Sequence, residues 1–578
     1  MKKTLLSIAL SVSIFFLKAQ VNRNDSSYNP QDFFLQSFNP LPGNAFRSAS
    51  GSPGPLYWQN TASYLIHATL SEKDTSITGD VTIAYTNNSP DKLDYLWLQL
   101  DQNLFDSKSR GSAATPISGD RFDVRGFDRG GYHITSVMVT YGGKTYTVQP
   151  VISDTRMQVR LNSPVLPKGD KISVKVNYSF YIPYHGADRM GRLYTKDGVE
   201  YEIAEWYPRM CVYDDVEGWN TLPYMGLGEF YCEYGNFDYY ITAPSEMIVY
   251  GSGDLQNPTQ VLTPEEIKRL AAASVSDKTV SIIDVNEIGK PSMRPVSGGN
   301  LVWHFTMKNS RDIAWVASKA LVWDAAKVNL PSGRKIIAMS AYPAESVGES
   351  AYSRGTEFLK NSIEIYSKNY FEYPWNSAVN IGGAVTGMEY PGIIFNSYKA
   401  TKGFLWDVIT HEIGHNWYPM IVGSNERKYM WQDEGFNTFI NYQAAFIFNN
   451  GEFAKDKMLR NRIFSVSKST DPLMVVPEAM GLTGYGQYYG KTAYGLILLR
   501  EVILGKDRFD YAFRKYTEMW AFKHPTPYDF FKTMNSAAGD DLNWFWKEWF
   551  FTTWKLDQAL TDVKYVDGDP GKGALITI

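Results

Sequence analysis

The chain has 578 residues, more than one ordinary domain holds, and suggests two to four domains. A hydrophobic share of 44% against 20% charged excludes wholesale disorder, and 57 basic against 61 acidic residues (net −4) leave no surplus of the kind a nucleic-acid binder carries. Two cysteines exclude a disulfide-rich scaffold and any zinc module built on four thiolates.

Residues 1–19 read as an export signal. Lys2 and Lys3 form a basic start, Leu5 to Leu17 is an apolar stretch, and Ala19 stands at the cleavage position. A spanning helix needs about 20 apolar residues, so this run is too short to be one, and no later run is longer. The expectation is an exported protein, periplasmic or extracellular, with no integral membrane segment once the signal is removed. Residues 20–54 are rich in Asn, Ser, Pro and Gly and predict a loose leader or an arm draped over the surface. From 55 to 335, apolar and polar residues alternate in short runs such as Tyr64 to Leu70 and Lys171 to Val176, which predicts an antiparallel, β-sandwich-like domain. Thr263-Pro264-Glu265-Glu266 has the form of a capped helix start and predicts one helix there, running to Ala273. From 336 to 556 helical spacing dominates, and 557–578 form a short strand-like tail. The fold class expected is therefore multidomain α+β. Cys211 and Cys232 suit either one disulfide or two buried thiols.

The strongest chemical signal is His411-Glu412-Ile413-Gly414-His415. On a helix, positions i and i+4 share a face, so both imidazoles can address one metal, and Glu412 can reach a water there. With seven histidines in the chain, chance occurrence is on the order of a few per thousand. A catalytic zinc takes three protein ligands and keeps a fourth position open. A metzincin would place Gly and His three and six residues after the second histidine; Tyr418 and Ile421 stand there instead. Asp433-Glu434-Gly435-Phe436 follows after an eighteen-residue gap, and Glu434 can complete a site of two histidines and one glutamate. The plainer reading of Asp433 or Glu434 is a carboxylate favouring a helix N-terminus.

His411-Glu412-Ile413-Gly414-His415-Asn416-Trp417-Tyr418, the gap, and Asp433-Glu434-Gly435-Phe436 resemble the M1 family of zinc aminopeptidases, the gluzincins. That family's Gly-x-Met-Glu-Asn motif has its counterpart in Thr386-Gly387-Met388-Glu389-Tyr390, with Thr386 for the first Gly and Tyr390 for the Asn. The resemblance implies a thermolysin-like catalytic domain after the β domain and one Zn2+ held by His411, His415 and Glu434. It implies peptide substrates whose free amine meets Glu389, with Gly387 and Met388 lining the same subsite. Glu205 falls where the family's N-terminal domain offers a Gln or Glu to that amine. The family's tyrosine-x-lysine pattern matches Tyr489-Gly490-Lys491 and implies that Tyr489 stabilises the oxyanion; Tyr485, Tyr488 and Tyr494 compete for the role. Glu412 is then the general base. Many members continue into a long helical C-terminal domain, which the residues after Trp554 are too few to form. Three readings stay open: an aminopeptidase, a zinc endopeptidase with an open cleft, and a catalytically silent peptide-binding protein.

Overall fold

The computed structural model describes residues 38–114, 129–184, 189–296, 298–454, 471–480, 484–554 and 560–577. The export-signal reading of residues 1–19 lies outside them. Among the described residues, no helix is long and apolar enough to cross a membrane.

The N-terminal half is β-rich because its apolar residues recur every second position. In Thr61–Ser71, Ala62, Tyr64, Ile66, Ala68 and Leu70 are buried while the residues between them face outward. This strand sits within an eight-stranded sheet, antiparallel to Ser76–Asn87. Its other neighbour, Gly235–Pro244, runs parallel to it, a departure from the purely antiparallel expectation. Two four-stranded sheets and the two-stranded pair of Tyr213–Asp214 with Gly218–Trp219 make up the rest of the β-rich part among the described residues. The helix read from Thr263 forms as α1 (Pro264–Ala273). The Thr263 side chain accepts from the Glu266 backbone, and Glu266 reaches back to the Thr263 N–H.

A six-stranded sheet carries the second half. Its order is Val280–Ile283, Leu321–Asn329, Lys335–Pro343, Ser377–Gly383, Ile393–Ser397 and Gly387–Tyr390. Every residue of the central Ser377–Gly383 is buried, as a strand between two parallel neighbours requires. The division expected at 335/336 thus falls at the start of one strand of a sheet that draws on both sides of it. Helices follow: α2 (Gly355–Asn369), α3 (Lys402–Gly414), α4 (Glu434–Ile447), α5 (Gly486–Leu498), α6 (Lys506–Trp520), α7 (Pro527–Ala538) and α8 (Asn543–Phe551). The tail forms a hairpin of Asp562–Tyr565 and Ala574–Thr577.

The arm is not loose over its described part. Arg47 donates to Asp215 (2.8 Å from Nε) and to Asp529 in α7 (2.5 Å), and both pairs are buried. The Trp520 indole donates to the Gly51 carbonyl at 2.8 Å. Gly51 has φ +86° and a Cβ there would overlap Thr533, so the close approach needs glycine. Phe38 packs edge-on against Phe551 with ring centroids 5.2 Å apart. Composition gave a polar, turn-rich segment; one buried arginine and one glycine tie it down. Cys211 and Cys232 face each other across an isolated antiparallel bridge as buried free thiols.

One buried feature costs stability. Glu200 and Glu202 lie on one face of Gly198–Ile203, fully buried, and a Cβ at Gly383 would collide with both carboxylates. Glu202 accepts from the Ala384 and Val385 N–H groups, whereas neither Glu200 oxygen has a hydrogen-bond partner. Burial raises the Glu202 carboxyl to about 7, and burial with the Glu202 charge raises Glu200 well above the carboxylate range. A carboxyl whose folded pKa exceeds its unfolded value binds more protons when folded, so stability falls as pH rises from the unfolded pKa through the folded one. Glu200→Gln is therefore expected to stabilise by about 1–3 kcal/mol at pH 8. Near pH 4, where both acids are protonated, it should change little. Thermal unfolding of the two proteins at the two pH values checks this; equal midpoints at pH 8 would refute it.

Candidate active site

α3 presents His411 and Glu412, and His415 caps its C-terminal end. α4 packs across it so closely that a Cβ at Gly414 would collide with the Asn437 amide oxygen. That contact fixes the first imidazole: His411 Nδ1 lies 2.9 Å from Asn441 Oδ1, and Asn437 donates to the His411 carbonyl at 2.8 Å. His415 Nδ1 lies 2.6 Å from Asp433 Oδ1 and 2.9 Å from the Tyr418 carbonyl. With both Nδ1 atoms engaged, both Nε2 atoms turn to Glu434 in the first turn of α4.

His411 Nε2, His415 Nε2 and Glu434 Oε2 form a triangle with sides of 3.2, 3.2 and 3.4 Å. Tetrahedral ligands about 2.1 Å from zinc stand about 3.4 Å apart, so two imidazoles and one carboxylate in this arrangement fit the ion. Glu434 Oε2 is buried and makes no hydrogen bond, which leaves it free as a donor atom. Burial alone would raise the Glu434 carboxyl, but the flanking imidazoles outweigh it and hold the group far below the usual range.

Glu412 projects beside the triangle. Its Oε1 would lie 2.7 Å from a Cβ at Gly387, so that glycine leaves the carboxylate its space. Burial raises Glu412 to about 7, against the lowering by His411 and His415. Of the competing tyrosines, Tyr489 reaches the site: its hydroxyl donates to Glu434 Oε1 and its ring stacks on His411 with centroids 5.8 Å apart. Tyr488 turns away and donates to the Val475 carbonyl at 2.6 Å. Lys491 donates to the Thr552 carbonyl at 3.0 Å.

The edge strand Gly387–Tyr390 places Gly387 and Glu389 on one face. Glu389 is buried, with its Oε1 3.9 Å from His415 Nδ1. Met388 alternates to the other face and joins the apolar core, so it does not share the surface of Glu389. Glu389 is grouped with Glu229, Glu426 and Asp433, one oxygen of each lying within 4.8 Å of the others. Glu426 is engaged by the Phe230 N–H (2.9 Å) and by Arg311 (3.4 Å), and Asp433 by His415.

Glu205 is not in this group. It lies 3.4 Å from Arg189 and 4.0 Å from Arg209. The same Arg189 donates to Glu229 at 2.8 Å, so one guanidinium separates the expected carboxylate from the one beside Glu389. Sequence reasoning missed Glu229 because Gly228-Glu229-Phe230-Tyr231 matches no motif. Asn437 and Asn441 were missed as well, although they follow Glu434 by three and seven residues on the same helix face, a spacing that could have pointed to them.

Residues 357–549 match the model of the peptidase family M1 domain. The chain carries an M1 peptidase domain. Among relatives, the leucyl aminopeptidase of Saccharolobus solfataricus is 22% identical over 216 residues, 33% of this chain and 27% of that protein. A probable aminopeptidase 1 of Sulfurisphaera tokodaii is 24% identical over 216 residues, again 33% of this chain and 27% of the relative. The aligned stretch thus spans about a quarter of those proteins' lengths. Among solved structures, an M1 zinc metallopeptidase of Deinococcus radiodurans matches with TM-score 0.56 and 14% identity, over 88% of this chain and 98% of that one. A mutant of that protein, covering 86% of this chain and 96% of its own at the same TM-score and identity, was solved with a Tyr-Ser-Ala substrate. These likenesses extend the M1 fold across both halves: a β-rich N-terminal part followed by the helical part.

Proposed function

We propose that this M1 chain is a zinc-dependent aminopeptidase that removes N-terminal residues from peptides. The observation that carries the reading is the convergence of three donor atoms, a buried glutamate and a tyrosine hydroxyl beside a group of carboxylates. His411, His415 and Glu434 would hold the zinc. When bound, zinc supplies a Lewis acid that polarises a carbonyl and acidifies water. Glu412 takes the proton of the attacking water and returns it to the departing amine nitrogen. Tyr489 donates to the oxygen on which negative charge develops. Glu389, with Glu229 beside it, receives the α-ammonium; a charge held at a fixed distance from the scissile carbonyl counts off one residue. Arg189 keeps Glu229 in place, and Glu205 acts on the subsite through that arginine.

The deciding experiment pairs peptides that differ only in N-acetylation and measures release with and without a chelator. The free-amine peptide should be cleaved in a chelator-sensitive manner, and acetylation should lower kcat/KM about 100-fold or more, the scale of a lost partner in a buried charge pair. Equal turnover of blocked and free peptides would overturn the exopeptidase assignment, and chelator-resistant turnover would overturn the zinc assignment.

A further inference from the structure

We propose that the groove between α3 and α4 receives the side chain that follows the scissile bond, and that it selects peptides with an aromatic second residue. This rests on the aminopeptidase reading above. The donor triangle has two ends. At one, His415 stands beside Glu389, where the ammonium is held. At the other, His411 and the stacked Tyr489 form the inner wall of a cavity of about 310 Å³. A peptide anchored by its amine at the first end, with its scissile carbonyl at the triangle, continues towards the second.

What lines that cavity sets its preference. Trp406 and Val408 come from α3, Tyr442 and Phe446 from α4, and Phe453 from the turn after it. Phe446 is 38% exposed, so the apolar wall is open to solvent. Asn441, the amide in the lining, is engaged by the His411 imidazole. Apart from His411, Asp407 is the one ionisable acid or base other than tyrosine among the described lining residues. One aromatic side chain buries about 150–250 Å² and prefers edge-on or offset contact with other rings, which Tyr442, Phe446, Phe453 and Tyr489 supply, while the buried Trp406 backs Phe453 from behind.

The test compares two peptides that begin with the best N-terminal residue of an aminoacyl-amide panel and continue as Phe-Gly or Gly-Gly. The wild-type enzyme should favour the Phe-Gly peptide about 10- to 100-fold in kcat/KM, the discrimination an apolar pocket provides. Ala445→Trp, which fills the groove from α4, should bring that ratio to within about threefold of unity, and Tyr442→Ala, which opens it, should lower the ratio about 5-fold or more. The readout is the ratio, because a general folding defect lowers both rates together. A wild-type ratio near one, or a ratio unchanged in both variants, overturns the groove assignment while cleavage of the Gly-Gly peptide still supports the aminopeptidase. No turnover of any free-amine peptide overturns the aminopeptidase reading and the groove assignment with it.

Discussion

Glu412→Gln is expected to lower kcat by about 10³-fold, within the 10²–10⁴ range of a positioned proton-transfer group, while metal content stays at one zinc per chain. Glutamine matches glutamate in shape and cannot accept the proton of the attacking water. Glu412 contributes none of the three atoms of the donor triangle, so the metal site should survive the change. The space that Gly387 leaves above the carboxylate accommodates the amide equally well. Initial rates on a free-amine peptide, alongside metal analysis of the same preparation, give the answer. An unchanged rate would remove Glu412 as the base, and a metal-free variant would make its role structural.

Tyr489→Phe should lower kcat about 10²- to 10³-fold, the loss seen when one oxyanion donor is deleted. KM should move little, because the hydroxyl acts on charge that develops only in the transition state. The substitution removes one oxygen and leaves the ring on His411, so metal binding and folding should persist. Tyr488→Phe is the matched control. It deletes a buried bond to the Val475 carbonyl and should cost about 1 kcal/mol of stability without a comparable loss of rate. If the two variants exchange these outcomes, the donor is Tyr488 and the spacing from Lys491 misassigned it.

Residues a few positions apart on one element were legible from the sequence, because helix geometry alone dictates their meeting. His411, Glu412 and His415 share less than two turns of α3, and Glu434 opens the next long helix. Glu389 was legible from its motif. Glu229 was not, since only the path of the chain through three sheets brings it to Glu389, and its neighbours carry no pattern. The partners of Glu205 were not legible for the same reason: Arg189 and Arg209, which hold its carboxylate, carry no pattern that links them to it. Strands were legible by alternation, whereas their partners were not. Nothing in Val280–Ile283 or Leu321–Asn329 indicates that they join the six-stranded sheet that precedes α3 and not the β domain.

The arm that runs past Arg47 bears on how the chain can be divided. Arg47 serves Asp215 in the β domain and Asp529 in α7 at once, bridging 482 residues of sequence to the latter. A fragment cut to residues 336–556 would lose both the cation that pairs with Asp529 and the segment around Gly51 that covers this face of α7. The helical half is therefore not a portable module. It depends on a clasp supplied from the far end of the chain, and the two halves should melt as one cooperative unit.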